Sequence, residues 1–384
     1  MKILGIVMEA NPLHNGHKYF LDEAKKQTNP DLVIAVTSTN FSMRGDVSVI
    51  DKFTKTKLLL SLGIDLVLEL PFSSTNCSAD YFSFNAINTL AQFNITDLAF
   101  GAECDSLNEL KELQKLQKAL DNSSFVKENL KKGYSYSTST FKAIKEMTSD
   151  ETLINNFSLP NNTLALHYLN ALEKLNKDVN ITLIKRIDNN YYDELTTSSI
   201  SSATSLRLKL ERSEDISSFV PFIDDFKNPS VLENNLYKLF QYKVASTKTS
   251  DLSLYQGVNE GIENRLSSFI NLDNYEDFVK NVETKRYTKS YIKRIILNIL
   301  LENYKEEQLY DYLRILGMNE KGKAYLKKLD KGTKAMLITS PKECSNKLLQ
   351  KEMLATKIYG IISSNASIYL DEYKLPIIKG ENDA

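Results

Sequence analysis

In the first half of the chain, short apolar runs alternate with longer stretches whose apolar positions recur every three or four residues. This pattern predicts parallel strands joined by crossover helices. Ile3 to Met8 is the first run; a loop containing Pro and Gly follows, then a helix-like stretch from Lys18 to Lys25. Asp31 to Thr37 and Asp65 to Leu70 read as the second and third strands, with a helix from about Asp51 to Leu62 between them. Asp97 to Phe100 and Ile181 to Arg186 read as strands four and five. Between those two, leucines at helical spacing run over Ser106 to Ala119 and Leu164 to Leu175. The expected fold is α/β, a Rossmann-like doubly wound parallel sheet.

After about Lys209 the strand signal fades, and Ser213 to Ser230, with Pro221 and Pro229, reads as a linker. Beyond it the pattern is helical: Tyr291 to Leu301, Glu307 to Leu316 and Lys323 to Leu329 carry apolar residues three and four apart, with Gly317 and Gly332 as helix stops. A chain of 384 residues exceeds one ordinary core. The expected division is a nucleotide-binding domain over 1–212 and a helical domain over 213–384.

Composition changes this picture little. At 42% hydrophobic and 25% charged residues the chain reads as a soluble globular protein. Glu9 and the polar Asn11 to His17 interrupt the N-terminal apolar run, which is neither a signal-peptide core nor a membrane span, so a cytoplasmic location is expected. Cys77, Cys104 and Cys344 are odd in number and far apart, which argues against a disulfide framework or a zinc site. The net charge of −1 conceals a local excess: residues 280 to 331 hold 13 Lys and Arg against 7 Asp and Glu. Such a patch suits an RNA partner, although a solvated helical surface looks the same.

The candidate chemistry lies at the end of strand one. Ligands of open parallel sheets sit at the carboxyl ends of strands, and here Asn11-Pro12-Leu13-His14-Asn15-Gly16-His17 leads directly into a helix. Gly16 lets a phosphate approach the backbone, and the helix start offers unpaired N–H groups. The whole chain has three histidines, and two of them fall in this four-residue window. Imidazole donors gain strength as negative charge builds on a transferred phosphoryl group. The plainer readings are a helix cap and a metal site, the latter without a third ligand nearby.

His14 to His17 resembles the HxGH signature of the nucleotidyltransferase superfamily. More of the chain resembles the bacterial tRNA(Met) cytidine acetate ligase family: NPLHNGH at 11–17, NFSMRGD at 40–46, DKFTKTKLLLSLGIDLVLELP at 51–71, FGAE at 100–103, LPNNTLALHYLNAL at 159–172, IKRI at 184–187, SSATSLR at 201–207 and TKRYTKSYIKR at 284–294. The resemblance implies a two-step reaction. Acetate attacks the α-phosphate of ATP to give acetyl-adenylate and pyrophosphate, and the wobble cytidine of elongator tRNA(Met) then takes the acetyl group on its exocyclic amine. Neither a membrane nor DNA is an expected partner.

The resemblance also implies site roles. Ile6, Val7, Met8, Glu9, Ala10, Asn11, Pro12, Leu13, His14, Asn15, Gly16, His17, Lys18, Tyr19 and Phe20 form the ATP loop, with His14 and His17 catalytic. Gly101, in a turn after strand four, lets adenine or ribose pack on bare backbone. Asn161 or Asn162 and Arg186 meet nucleotide or acetate, while Ser202, Thr204 and Arg207 clamp the outer phosphates. For these the plainer readings are an N-cap for the asparagines and a surface ion pair for Arg186. Lys285, Arg286, Lys289, Lys293 and Arg294, interleaved with Tyr287 and Tyr291, are the expected tRNA contacts.

Arg44 could meet substrate or tRNA, or pair with Asp46, and Lys52 and Lys55 share a helix face expected to be solvated. Ala10 and Thr39 depart from the family pattern, which has an aromatic residue and a glycine there. Magnesium is compatible with the ATP chemistry, although no acidic pair marks a place for it. Two other functions share parts of this pattern: a metabolic adenylyltransferase acting on a phosphorylated cofactor precursor, and a non-catalytic RNA-binding protein with a nucleotide-sensing site.

Overall fold

The computed structural model describes residues 1–121, 123–186, 200–305, 312–343 and 346–380. Cys344 and the expected helical residues 307–311 lie outside them, as does Ile187. The strands are β1 (Ile3–Val7), β2 (Leu32–Ser38), β3 (Leu66–Leu70), β4 (Asp97–Ala102), β5 (Asn180–Lys185), β6 (Leu313–Asn319), β7 (Leu337–Ile338) and β8 (Ile377–Lys379). They form one sheet in the order β5-β4-β1-β2-β3-β6-β7, with β8 beside β6. The five N-terminal strands are mutually parallel, and β6 joins β3 antiparallel. Helices α1 (Asn15–Thr28) and α2 (Lys52–Ser61) are crossovers on one face, while Ala79–Gln92, Leu107–Asp121 and Pro160–Lys174 cover the other.

This is the expected doubly wound architecture, and its topology locates a crevice. From β1 the chain steps outward to β2 and β3, then returns to β1's other side for β4. The strand order therefore reverses between β1 and β4, and their carboxyl ends open a cleft there.

The second half departs from the helical expectation. Leu313–Asn319 is a strand. It is buried on both faces, so its apolar run shows no two-residue alternation and mimics helical spacing. Gly317 is no helix stop: a Cβ there would stand 2.6 Å from Thr56 Cγ2, so the residue's bareness lets β6 lie against α2. Gly332 sits within a short helix, Lys331–Met336. The helices Pro229–Ala245, Lys289–Leu300 and Lys347–Ile362 build a separate apolar cluster, which takes in Phe41, Val47 and Phe72 from the segments after β2 and β3.

Lys52 and Lys55 overturn the solvated-face expectation, since both side chains are fully buried. Lys52 Nζ lies 3.0 Å from Glu69, 3.1 Å from Glu352 and 2.7 Å from Glu372. Arg314 completes the cluster at 3.3 Å from Glu69 and 2.6 Å from Glu372. Burial alone would depress the Lys52 pKa, but Glu352, Glu372 and Glu69 outweigh it and hold the ammonium above its usual value. Removing one member of a buried ion cluster strands its partners without solvent. Lys52→Ala is expected to lower unfolding free energy by about 3–5 kcal/mol, read as a fall in urea midpoint.

Candidate active site

The loop after β1 is held from three sides. Asn11 is buried; its Nδ2 donates to Val47 O at 3.2 Å and its Oδ1 accepts from Val49 N at 2.9 Å. Arg207 Nη1 donates to Asn11 O at 2.7 Å. Ile6, Met8, Ala10 and Leu13 pack into the core beneath, joined by the half-buried Tyr19 and Phe20, while Val7 packs on the opposite face. Pro12 is buried, Lys18 pairs with Asp22 at 2.6 Å, and Asn15 Nδ2 donates to Ser218 O at 3.0 Å. Ala10 adopts φ 50°, a left-handed conformation that costs a non-glycine residue energy.

The two histidines do cap α1, and the capping fixes their chemistry. His14 Nδ1 accepts from Gly16 N at 3.1 Å, and His17 Nδ1 accepts from His14 N at 3.2 Å, a reciprocal capping box. An Nδ1 that accepts a hydrogen bond carries no proton, so each neutral ring bears its hydrogen on Nε2. Burial, then the charges of Arg186 and Arg207, lower the His14 pKa to about 4. Burial, then His14, Arg186 and Lys55, depress His17 well below its ordinary value. The rings, 3.9 Å apart between centroids, are therefore paired neutral Nε2–H donors at neutral pH. Gly16 is needed for this packing, because a Cβ there would stand 2.8 Å from His14 Cε1.

Across the crevice, Gly101 lies within strand β4, paired with Ile184, rather than in a turn after it. A Cβ at Gly101 would sit 3.5 Å from Arg186 Cγ. The two asparagines separate cleanly. Asn162 is fully buried; its Oδ1 accepts from Glu103 N at 2.8 Å and Cys104 N at 3.0 Å, and its Nδ2 donates to Asn156 O at 2.9 Å. Asn161 instead accepts from Arg186 Nη1 at 2.8 Å and donates to the Glu103 carboxylate, which also takes Asn162 N at 2.8 Å. Arg186 is exposed and forms no ion pair among the described residues. Nothing in the spacing of Glu103 reveals that it meets a helix start nearly sixty residues on.

Helix Ala203–Glu211 begins beside this loop. Its N-cap Ser202 accepts from Ser205 N at 3.1 Å, and Thr204 Oγ1 accepts from Arg207 Nη2 at 3.3 Å. Arg207 thus spans the helix start and the Asn11 carbonyl, with Asp46 3.7 Å away. Asp46 pairs with Lys293 at 2.9 Å, and Lys293 with Glu233 at 2.7 Å; the plainer alternative for Arg44, an ion pair with Asp46, is not formed among the described residues. Arg44 is exposed. A cavity of about 160 Å³ lies among Asp46, Thr204, Arg207, Glu233 and Lys293.

Of the basic stretch, Lys285, Arg286 and Lys289 are exposed, with Arg286 2.7 Å from Glu260. Lys293 and Arg294 are half-buried and turned inward. Tyr287 and Tyr291 stack on each other and bond Asn259 O and Gly257 O. Gly45, at φ 80°, brings the loop after β2 so close that a Cβ would stand 2.7 Å from the Arg294 backbone nitrogen. Among the described residues, no three His, Cys, Asp or Glu side chains group as a metal site, and no helix is long and apolar enough to cross a membrane.

A doubly wound sheet with paired imidazoles at its first helix start fits a nucleotidyl transferase, and the chain belongs to the HIGH nucleotidyl transferase family, matching it over residues 1–372. Within that family it is a member of the tRNA(Met) cytidine acetate ligases. It is 33% identical to the tRNA(Met) cytidine acetate ligase of Clostridium kluyveri, covering 98% of this chain and 99% of that protein. The Staphylococcus aureus protein of the same name is 32% identical, with 99% of each covered. Among solved structures, Thermotoga maritima TmcAL bound with alpha-thio ATP superimposes with a TM-score of 0.84, and its apo form with 0.86. Both are 27% identical and are covered over their full length by 99% of this chain.

The depressed histidines set a stability limb. Well above pH 6.5 His14 is neutral folded and unfolded, so it adds no pH dependence there. As pH falls from 6.5 to about 4 the unfolded chain takes up a proton that the folded chain refuses, and stability drops with a slope approaching about 1.4 kcal/mol per pH unit. Urea unfolding between pH 7 and 5 should lose more free energy in the native protein than in His14→Gln.

Proposed function

We propose that the protein activates acetate with ATP and delivers the acetyl group to the wobble cytidine of elongator tRNA(Met). The observation that carries the reading is the pair of neutral Nε2–H donors at the switch point. Acetate attack on the α-phosphorus moves negative charge onto the phosphoryl oxygens and the departing pyrophosphate. Such a reaction calls for positioned donors and positive charge, not a covalent nucleophile. His14 and His17 donate to the phosphates through Nε2–H, and Arg186 supplies charge from the β5 side. The exposed start of helix Ala203–Glu211, with Ser202 and Thr204, faces the outer phosphates, while Arg207 orients the loop by gripping the Asn11 carbonyl.

The ATP-analogue-bound TmcAL and the full-length likeness to named ligases support this assignment, whereas the two alternative functions have no comparable support. Lys285, Arg286 and Lys289 form the outward tRNA-facing set; Lys293 serves instead to hold Asp46. Magnesium would screen the phosphates, with ATP oxygens and water as its ligands.

Incubated with ATP, acetate and elongator tRNA(Met), the protein should release AMP and pyrophosphate and leave an acetylated wobble cytidine in the tRNA digest. A folded protein that produces no acetylated cytidine would overturn the reading. His17→Ala should cut acetyl-adenylate formation by at least about 100-fold, the scale of losing one transition-state donor. The asparagines give a second comparison. Asn161→Ala frees Arg186 and should raise the KM for ATP with little loss of stability. Asn162→Ala should lower the unfolding free energy by about 1–3 kcal/mol, because buried backbone donors lose their acceptor.

A further inference from the structure

An exocyclic amine that attacks an acyl group must give up a proton. The two histidines offer no place for it, since each Nδ1 is occupied by a backbone N–H and each Nε2 already bears hydrogen. Most described carboxylates near the sheet's carboxyl edge are committed elsewhere. Glu103 holds Asn161 and the start of helix Pro160–Lys174, Asp46 is bound to Lys293, Asp51 caps α2, and Asp105 pairs with Lys185.

Glu9 is different. It lies two residues beyond β1 and five before His14, half-buried on the segment that leads from the carboxyl end of β1 into the histidine loop. Its Oε1 accepts from Met43 N at 2.7 Å, which fixes the carboxyl group, while Oε2 has no hydrogen-bond partner among the described residues. Lys55 faces it from α2 without a direct ion pair, its Nζ donating to Ser38 O at 3.1 Å and Thr39 O at 2.9 Å. Arg44 and Asp46 face it from the loop after β2, Tyr168 from helix Pro160–Lys174, and Cys77 from the segment after β3. Burial foremost raises the Glu9 pKa, against the Met43 hydrogen bond and the Lys55 charge, which brings it nearer the working range of a proton acceptor.

We propose that Glu9 is the proton acceptor of acetyl transfer, its Oε2 taking hydrogen from the cytidine N4 as that nitrogen attacks the carbonyl carbon of acetyl-adenylate. The N–C bond forms, the C–O bond to phosphate breaks, AMP leaves with that electron pair, and Glu9 later releases the proton to solvent. The inference rests on the acetate-and-tRNA reading above.

The test separates the half-reactions with Glu9→Gln, which keeps an oxygen for Met43 N. Adenylation is followed as acetate-dependent ATP–pyrophosphate exchange, and transfer as a single turnover of enzyme-bound acetyl-adenylate with elongator tRNA(Met). Transfer should fall about 100-fold further than adenylation, the scale of a lost general base. Equal losses in both steps, or transfer at the native rate, would overturn the proposal. Should the variant not fold, the native protein decides: its single-turnover transfer rate should rise with pH on an acid limb, and a flat profile between about pH 5 and 8 counts against Glu9. A native protein that makes no acetylated tRNA at all refutes the functional reading rather than the role of Glu9.

Discussion

The Lys52 ammonium, closed off from water among Glu69, Glu352 and Glu372, is the contact on which the remaining geometry depends. It joins α2 and β3 to two segments 300 and 320 residues beyond Lys52, and Arg314 brings β6 into the same knot. Ionic clusters without solvent tolerate little displacement, because a small separation leaves a buried charge unmatched. The constraint passes along the backbone. Lys52 N donates to Asn40 Oδ1 at 3.0 Å, and Asn40 Nδ2 donates to Thr356 Oγ1 at 2.9 Å. The loop after β2 is therefore set at both ends, and Asn11 hangs from that loop through Val47 and Val49. The position of the site loop is thus set by the C-terminal half of the chain.

A second line of constraint reaches the same loop from the basic helix. Lys293 holds Asp46, Arg207 lies beside Asp46, and Arg207 grips the Asn11 carbonyl. Residues that read from the sequence as an RNA-facing cluster thus divide by depth. Lys285, Arg286 and Lys289 face outward, whereas Lys293 and Arg294 knit the helix to the loop that Gly45 brings into contact. Helix Lys289–Leu300, with the exposed charges at and just before its start, is thus linked through Lys293, Asp46 and Arg207 to the loop that carries the histidines.

What the sequence disclosed follows from which signals are local. The five parallel strands, α1, α2 and the HNGH window were legible because alternation, helical spacing and residue scarcity are local properties. Strand β6 was not, because a strand buried on both faces loses its two-residue period. Lys52 and Lys55 at helical spacing point to a solvated face, as lysine normally does, and only partners distant in sequence reverse that. Glu103 and Glu9 escaped individual roles for the same reason: their meaning lies in Asn161, Met43 and Lys55, none of which is near them in sequence. The pairing of Arg186 with Asn161 likewise needed β5 and a helix start to be brought together.

The histidine window shows why a plain reading and a functional one need not compete. A helix start has unused N–H groups that could meet a phosphate directly. Here Gly16 N turns to His14 Nδ1, and the His14 N–H turns to His17 Nδ1, so those donors are spent inside the protein. Each ring passes the hydrogen-bonding capacity outward, since filling Nδ1 obliges the hydrogen to reside on Nε2. The donor is displaced by the width of an imidazole from the backbone, and burial foremost keeps the ring in its neutral form. Capping is thus the means by which the rings acquire a fixed tautomer and direction. It also removes them from proton acceptance, so a reaction that must both stabilise phosphate charge and dispose of an amine proton needs a separate group for the second task.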